Sequence, residues 1–304
     1  MLEVYARLEA KGCVTPRWIP GGPDGRVDLT ALEAALKLGA RIVSLQHANS
    51  ETGVLQPVSE VGHRLRSAVK GTSANGKALL HVDCVQSFGK TSVRPDNLGA
   101  DLVTISSHKI GGPKGAGALI VRAGCGWEPP LRGGPQERKM RPGTENLPSI
   151  AGFVKAAEVA VGKISRPESL RREGIALGAF FKELLLAAIA DVEINGGPEN
   201  ALPNTVNVSF REVSAELLLI RLDQEGVAVS MGSACASGSR EPSHVLKAMG
   251  LSEARIRSAV RFSTGWSTTR EEVERAVKIV AGAVAELRRR SGSAPLSGSP
   301  ARHP

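Results

Sequence analysis

The chain has 304 residues, 41% of them hydrophobic and 23% charged, ordinary values for a globular protein with material for one large domain or two moderate ones. Its net charge of +9 is spread along the chain without stacking aromatics, which argues against nucleic-acid binding. No apolar run is long enough to span a bilayer, no signal peptide is recognisable, and the cysteines at 13, 84, 125 and 235 show no C-x-x-C pairing, so membrane, zinc and thioredoxin-like classes fall away and free thiols in a cytoplasmic setting are expected.

In chain order, "RIVSLQ" (41–46) reads as a strand and "PVSEVGHRLRSAV" (57–69) as a helix, with Val58, Val61, Leu65 and Val69 at helical spacing and Pro57 at a tolerated first-turn position. "LLHVD" (79–83), "DLVTIS" (101–106) and "GALIVR" (117–122) read as further strands. This strand–helix–strand rhythm predicts an α/β fold with a mostly parallel sheet, whose ligands collect at the carboxyl ends of the strands. The segment 126–148, rich in Gly, Pro and charge, reads as an irregular excursion, followed by helices at 149–164 and 168–191. A smaller α+β unit follows, with strands at 204–210, 227–231 and 259–264 and helices at 214–226 and 269–290. Gly226 stops the first of these helices, Thr269 opens the second, and Arg288, Arg289 and Arg290 close it where cations suit the helix dipole. The expected domains are 1–165 and 166–291, with a disordered tail at 292–304.

Three constellations carry chemistry. Asp83 ends an apolar strand, where a carboxylate needs a partner; a loop contact and a cationic ring nitrogen both qualify. In "TISSHK" (104–109), Ser106, Ser107 and His108 offer phosphate donors at the end of a neighbouring strand. Lys109, placed to be buried beside that anion, would be a nucleophilic amine; the alternative is a solvated lysine in a turn. A P-loop is excluded, because there the glycines precede the lysine and a Ser or Thr follows it, whereas Ile110 follows Lys109. A Schiff-base lysine, phosphate donors and an aspartate for a pyridinium nitrogen are what pyridoxal phosphate (PLP) requires, and Gln86 can hydrogen-bond its phenolic oxygen. Finally, Cys235 lies in a run of small residues, "GSACASGS", which suits an exposed reactive thiol as well as a core cysteine.

"HVDCVQSFGK", "ISSHKIGGPKGAGALIVR", "GGPQERKMRPGTEN" and "GSACASGSREPSHVLKAMG" together resemble, in order and spacing, the NifS/IscS-like cysteine desulfurases, with selenocysteine lyases as close relatives. The resemblance runs from near residue 1 to about residue 290. It implies PLP-dependent transferase fold type I, aspartate aminotransferase-like, with a smaller C-terminal α+β domain. It implies that Lys109 bonds covalently to the cofactor, that Asp83 partners the pyridine nitrogen and Gln86 the phenolic oxygen, and that Ser106 and His108 contact the phosphate. It further implies that Thr144 reaches the phosphate of the other subunit of a homodimer, that Cys235 is the persulfide-forming nucleophile and that Arg261 clamps the carboxylate of L-cysteine. A sulfur-acceptor protein, in iron–sulfur or thiolation pathways, is the implied partner, and no metal is implied.

The sequence departs from the family in three places. Relatives have a further segment before the point matching Met1, which supplies a phosphate loop and a ring-stacking histidine; His47 and His81 match other positions. That departure raises an alternative to the desulfurase reading, an inactive truncated homologue. Ser50 stands where many relatives have an asparagine contacting the phenolic oxygen, a cofactor contact its shorter hydroxyl can still make, and Trp266 stands where arginine is common. Selenocysteine lyase is the other alternative; "GSACASGS" resembles the desulfurase loop more.

Overall fold

A computed structural model describes residues 1–69, 78–164, 168–197, 200–231 and 242–292. The chain divides into two units, one of Met1–Asn49 with Val54–Arg166 and the other of Ser50–Gly53 with the chain from Pro167 onward.

The first unit is built on a four-stranded sheet in the order β1 (Ile42–Gln46), β2 (Leu79–Asp83), β3 (Leu102–Ser106), β4 (Gly117–Val121). β1, β2 and β3 run parallel, with Ser44 opposite His81 and Asp83 opposite Thr104, while β4 returns antiparallel. Short, largely apolar runs form these strands, and their alternation gives the sheet two unlike faces. Leu80, Val82, Val103 and Ile105 point into an aliphatic core. That core also takes Val58, Val61 and Leu65 of the helix α3 (Val58–Val69), the same positions whose spacing predicts the helix. Two preceding helices, α1 (Leu2–Ala10) and α2 (Leu29–Lys37), are less plain in the sequence. α2 starts where the Asp28 carboxylate accepts the N–H groups of Thr30 and Ala31, and it buries Leu32 and Leu36. A short turn of helix, α4 (Pro95–Leu98), ends at the left-handed Gly99 and leads into β3, and α5 (Leu147–Ile164) closes the unit.

The second unit has a three-stranded antiparallel sheet, β5 (Val192–Ile194), β6 (Thr205–Phe210), β7 (Ala259–Ser263), in that order. Its main helices are α6 (Glu168–Ala188), α7 (Ala215–Gln224) and α10 (Arg270–Gly292), with the short helices α8 (His244–Ala248) and α9 (Glu253–Arg257) between them. The core is aliphatic with three phenylalanines; the rings of Phe181 and Phe262 lie 4.8 Å apart, and Phe210 is fully buried. Gly178 lets α6 pass so close to the 201–204 loop that a Cβ there would sit 1.8 Å from the Pro203 carbonyl oxygen. Thr269 and Glu272 cap α10 reciprocally: the Thr269 hydroxyl accepts the Glu272 N–H, and the Glu272 carboxylate accepts the Thr269 N–H. At the other end Arg288 donates to the carbonyls of Ala190, Asp191 and Arg211.

The segment 227–231, expected as a strand, is not one. After Gln224 the chain turns through the left-handed Gly226, and the Val227 N–H returns to the Leu222 carbonyl as part of the helix end. Only Ser230 then pairs, as an isolated antiparallel bridge to Arg261. α2, α4, β5, α8 and α9 were not predicted. The expected tail lies outside the described residues beyond Gly292, the last residue of α10. Among the described residues no helix is long and apolar enough to cross a membrane.

Candidate functional site

The sheet face opposite the aliphatic core of the first unit is polar. It carries Ser44 and Gln46 of β1, His81 and Asp83 of β2, and Thr104 and Ser106 of β3. His81 joins the three strands: its Nε2 lies 2.8 Å from Thr104 Oγ1 and its Nδ1 3.4 Å from Ser44 Oγ, which in turn lies 2.6 Å from the Tyr5 hydroxyl. Burial holds the His81 imidazole below its ordinary pKa, opposed by the charge of Asp83. Asp83 sits at the carboxyl end of β2. Its Oδ1 accepts the Val85 N–H at 3.0 Å, turning the chain, and its backbone carbonyl accepts the His47 N–H at 2.8 Å. The second carboxylate oxygen carries no hydrogen bond among the described residues, so both sequence readings of Asp83, loop contact and partner for a cation, are compatible with its geometry.

In the turn after β2, Gln86 is half-buried and its Oε1 accepts from Lys90 Nζ at 3.2 Å, which leaves the amide NH2 as the available donor. At the end of β3 the chain enters a 3-10 turn, Ser107–Ile110, stopped by the left-handed Gly111. Ser106 Oγ and His108 Nδ1 are 2.8 Å apart and hold one another at the sheet edge. Two expectations fail here. Lys109 is exposed rather than buried, because the 3-10 turn directs Ser107 inward and swings His108 and Lys109 outward. Ser107 is fully buried and its hydroxyl has no partner among the described residues; it packs where a Cβ on Gly112 would lie 2.2 Å from its Oγ, so it is not placed as a phosphate donor. Small residues seat α5 against this edge: Gly89 faces Ile110 and Ala160, Gly112 faces Ala156, and Gly152 faces Pro113.

The remaining predicted residues belong to other segments of the chain. Thr144 is exposed on the 126–148 excursion, where Gln136 Oε1 accepts the Gly143 N–H at 3.1 Å and Glu137, Arg138 and Lys139 adopt left-handed backbone. Ser50 and Arg261 are brought together in the second unit: Arg261 Nη1 donates to the Ser50 carbonyl at 2.7 Å, while its buried Nε has no partner among the described residues. Ser50 itself is exposed. Cys235 lies outside the described residues, as does the whole of 232–241. Trp266 is exposed, and nothing in the structure explains the replacement of arginine there.

The sequence reading missed a buried trio behind Asp83. His47 Nδ1 lies 3.0 Å from Ser87 Oγ and 3.9 Å from Cys84 Sγ. Burial pushes the Cys84 thiol up to about 12, so it is an inert packing group at neutral pH. Burial lowers the His47 pKa, favouring the neutral ring. The unfolded chain therefore takes up protons at His47 and His81 before the folded chain does, so stability falls as pH drops through the ordinary imidazole range near about 6.5. The thermal midpoint should fall between pH 7.5 and 5.5, and His47→Gln should flatten that fall in a melting series.

The donor set at the strand ends fits PLP: a carboxylate with a free oxygen at Asp83, an amide donor at Gln86, a hydroxyl–imidazole pair at Ser106 and His108, and an amine at Lys109. A phosphate-bearing pyridine aldehyde has a complement for each of these groups. The chain belongs to the aminotransferase class-V family, whose model matches residues 2–276, a PLP-dependent family of fold type I. It is 40% identical over 288 residues to a cysteine desulfurase of Nostoc sp., covering 95% of this chain and 69% of that protein. It is 37% identical to cysteine desulfurase IscS 1 of Archaeoglobus fulgidus, over 89% of this chain and 68% of that one. Among solved structures, a NifS-like protein superposes with a TM-score of 0.82 at 32% identity, covering 94% of this chain and 72% of its own. The NifS-like protein from Rickettsia africae gives 0.76 at 30% identity, covering 95% and 73%.

Proposed function

We propose that this protein is a PLP-dependent cysteine desulfurase that converts L-cysteine to alanine and leaves the sulfur on Cys235 as a persulfide. What carries the reading is Asp83, Gln86, Ser106, His108 and Lys109 meeting at one sheet edge in a chain 40% identical to a cysteine desulfurase. When bound, PLP supplies an electron sink for the carbon skeleton of the substrate amine. Asp83 keeps the pyridine nitrogen protonated with its free carboxylate oxygen, and the Gln86 amide, oriented by Lys90, donates to the phenolic oxygen. The Ser106–His108 pair grips the phosphate. Lys109 would hold the cofactor covalently, and its amine would move protons at the substrate carbon. Arg261 receives the substrate carboxylate on the donors that its bond to Ser50 leaves free. The Cys235 thiolate forms a sulfur–sulfur bond as the Cβ–S bond breaks; the electron pair of that bond stays with carbon, which takes a proton to become alanine.

The working form is a homodimer in the cytoplasm in which Thr144 of each chain reaches the phosphate of the other. An apolar stripe on α5 supports a second copy: Leu147, Ile150, Val154 and Val161 are exposed at helical spacing. A sulfur-acceptor protein of iron–sulfur cluster assembly or thiolation takes the persulfide sulfur. The test is the stoichiometry of turnover. With PLP, L-cysteine and a thiol reductant, alanine and sulfide should appear in equal amounts. Neither should form without PLP, and release of pyruvate and ammonia instead would refute the reading.

A further inference from the structure

Ser50–Gly53 belongs to the second unit, although the chain on either side of it belongs to the first. Within the second unit three of its four backbone carbonyls are held. Arg261 Nη1 donates to the Ser50 carbonyl at 2.7 Å, Asn207 Nδ2 to the Glu51 carbonyl at 3.2 Å, and the Leu202 N–H to the Gly53 carbonyl at 2.8 Å. Gly53 has φ +75°, and a Cβ there would stand 3.0 Å from Thr205 Cβ, so the turn lies close against β6. Asn207 is itself fixed: its Oδ1 accepts from Asn195 Nδ2 at 2.8 Å, and Asn195 Oδ1 accepts from Arg255 Nε at 2.8 Å.

Glu51 is the unexpected member. It is 2% exposed, and a buried carboxylate persists only where it is hydrogen-bonded. Its Oε2 accepts the proton of the Ser243 hydroxyl, and the same hydroxyl accepts the Leu246 N–H at 3.2 Å as the cap of α8. Glu51 thus ties two stretches 192 residues apart in sequence. None of the roles assigned above uses it.

We infer that Glu51 is a positioning residue for recognition of the substrate carboxylate, acting through the Ser50 carbonyl on Arg261. A guanidinium grips a carboxylate best with two parallel N–H donors along one edge of its fork. In Arg261 the Ser50 carbonyl takes one N–H of Nη1, and Nε is buried with no partner among the described residues, so the outer edge formed by Nη1 and Nη2 is the one left for a ligand. The direction of that edge is set by where the Ser50 carbonyl stands. The Glu51 side chain, bonded to Ser243, and the Glu51 carbonyl, bonded to Asn207, fix the turn that places it. Removing the Glu51 side chain releases one of these holds and loosens the edge, a loss felt by ligands that carry a carboxylate and not by those that lack one.

The inference rests on the reading of Arg261 as the carboxylate clamp, so the experiment separates the two. The PLP-loaded full chain is titrated with L-alanine and with ethylamine, which differ by the carboxylate, following the absorption of the cofactor, and its melting temperature is recorded. Glu51→Ala should weaken L-alanine about tenfold relative to ethylamine. Glu51→Gln, which keeps an acceptor for Ser243, should restore most of that loss at an unchanged melting temperature. Ser243→Ala, a milder break of the same bond, should show the same selective loss at smaller size and carries the test if Glu51→Ala does not fold. Equal weakening of both ligands, weakening of neither, or no rescue by Glu51→Gln overturns the role of Glu51. If Arg261→Ala leaves the ratio of the two affinities unchanged, the clamp reading itself has failed, and the inference falls with it.

Discussion

Lys109→Ala should abolish the visible absorption that the wild-type protein gains on addition of PLP and should lower alanine formation from L-cysteine by roughly 10³-fold or more. The expectation follows from position. Lys109 is the amine on the 3-10 turn that leaves β3, directly after the Ser106–His108 pair and on the edge that carries Asp83. Its exposure makes this replacement mild for the fold: no buried contact is lost, so the melting temperature of the unliganded protein should stay close to wild type. Spectral loss with an intact fold therefore isolates the chemical role. Retention of the same absorption in Lys109→Ala would mean that another amine holds the cofactor, and Lys90 and Lys114 are the neighbours to replace next.

Cys235→Ala should give the opposite pattern. The cofactor spectrum and its response to L-cysteine should persist, because Asp83, Gln86 and Lys109 are untouched, while sulfide release drops to background and no protein-bound persulfide is detected by mass spectrometry after exposure to L-cysteine. The remaining cysteines offer no substitute of equal quality. Cys84 is fully buried with its thiol pushed up to about 12, Cys13 is an exposed residue beyond the end of α1, and Cys125 sits in the turn after β4. Sulfide release unchanged in Cys235→Ala would remove the persulfide step from the proposed reaction. The pair of variants divides the chemistry cleanly: one loses the cofactor bond and keeps the thiol, the other keeps the cofactor bond and loses sulfur transfer.

Much of the first unit is legible in the sequence because β-branched alternation and helical spacing are local signals. "LLHVD" announces both a strand and its two faces, since Leu80 and Val82 go to the core while His81 and Asp83 go to the polar side. The segment 227–231 shows where such signals mislead. Its alternating apolar residues suit a strand, but the end of α7 consumes its first residues, and a single bridge at Ser230 is all that remains. The exposure of Lys109 was not readable, because the direction of a side chain after a strand depends on the turn type: a continued strand would put Lys109 on the same side as Ser107, whereas the 3-10 turn buries Ser107 and exposes Lys109. Glu51 escaped for a different reason. Its partners Asn207 and Ser243 are remote in sequence, and only the fold brings them to it; the one local hint is a lone acidic residue in the otherwise uncharged run "LQHANSETGVLQPV".

The unlike faces of the parallel sheet have a consequence for how this protein can vary. A strand that slips by one residue against its neighbours exchanges its faces. For β2 such a slip would drive His81 and Asp83 into the aliphatic layer and expose Leu80 and Val82. Asp83, proposed to partner the cofactor, and its strand neighbour His81 therefore also act as a lock on strand alignment. Aliphatic replacement of both His81 and Asp83 would make the correct and the shifted pairings nearly equivalent, so drift on this face is limited by folding as well as by chemistry. A homologue that had given up the reaction would still be expected to keep polar side chains at these two places, though not necessarily a histidine and an aspartate.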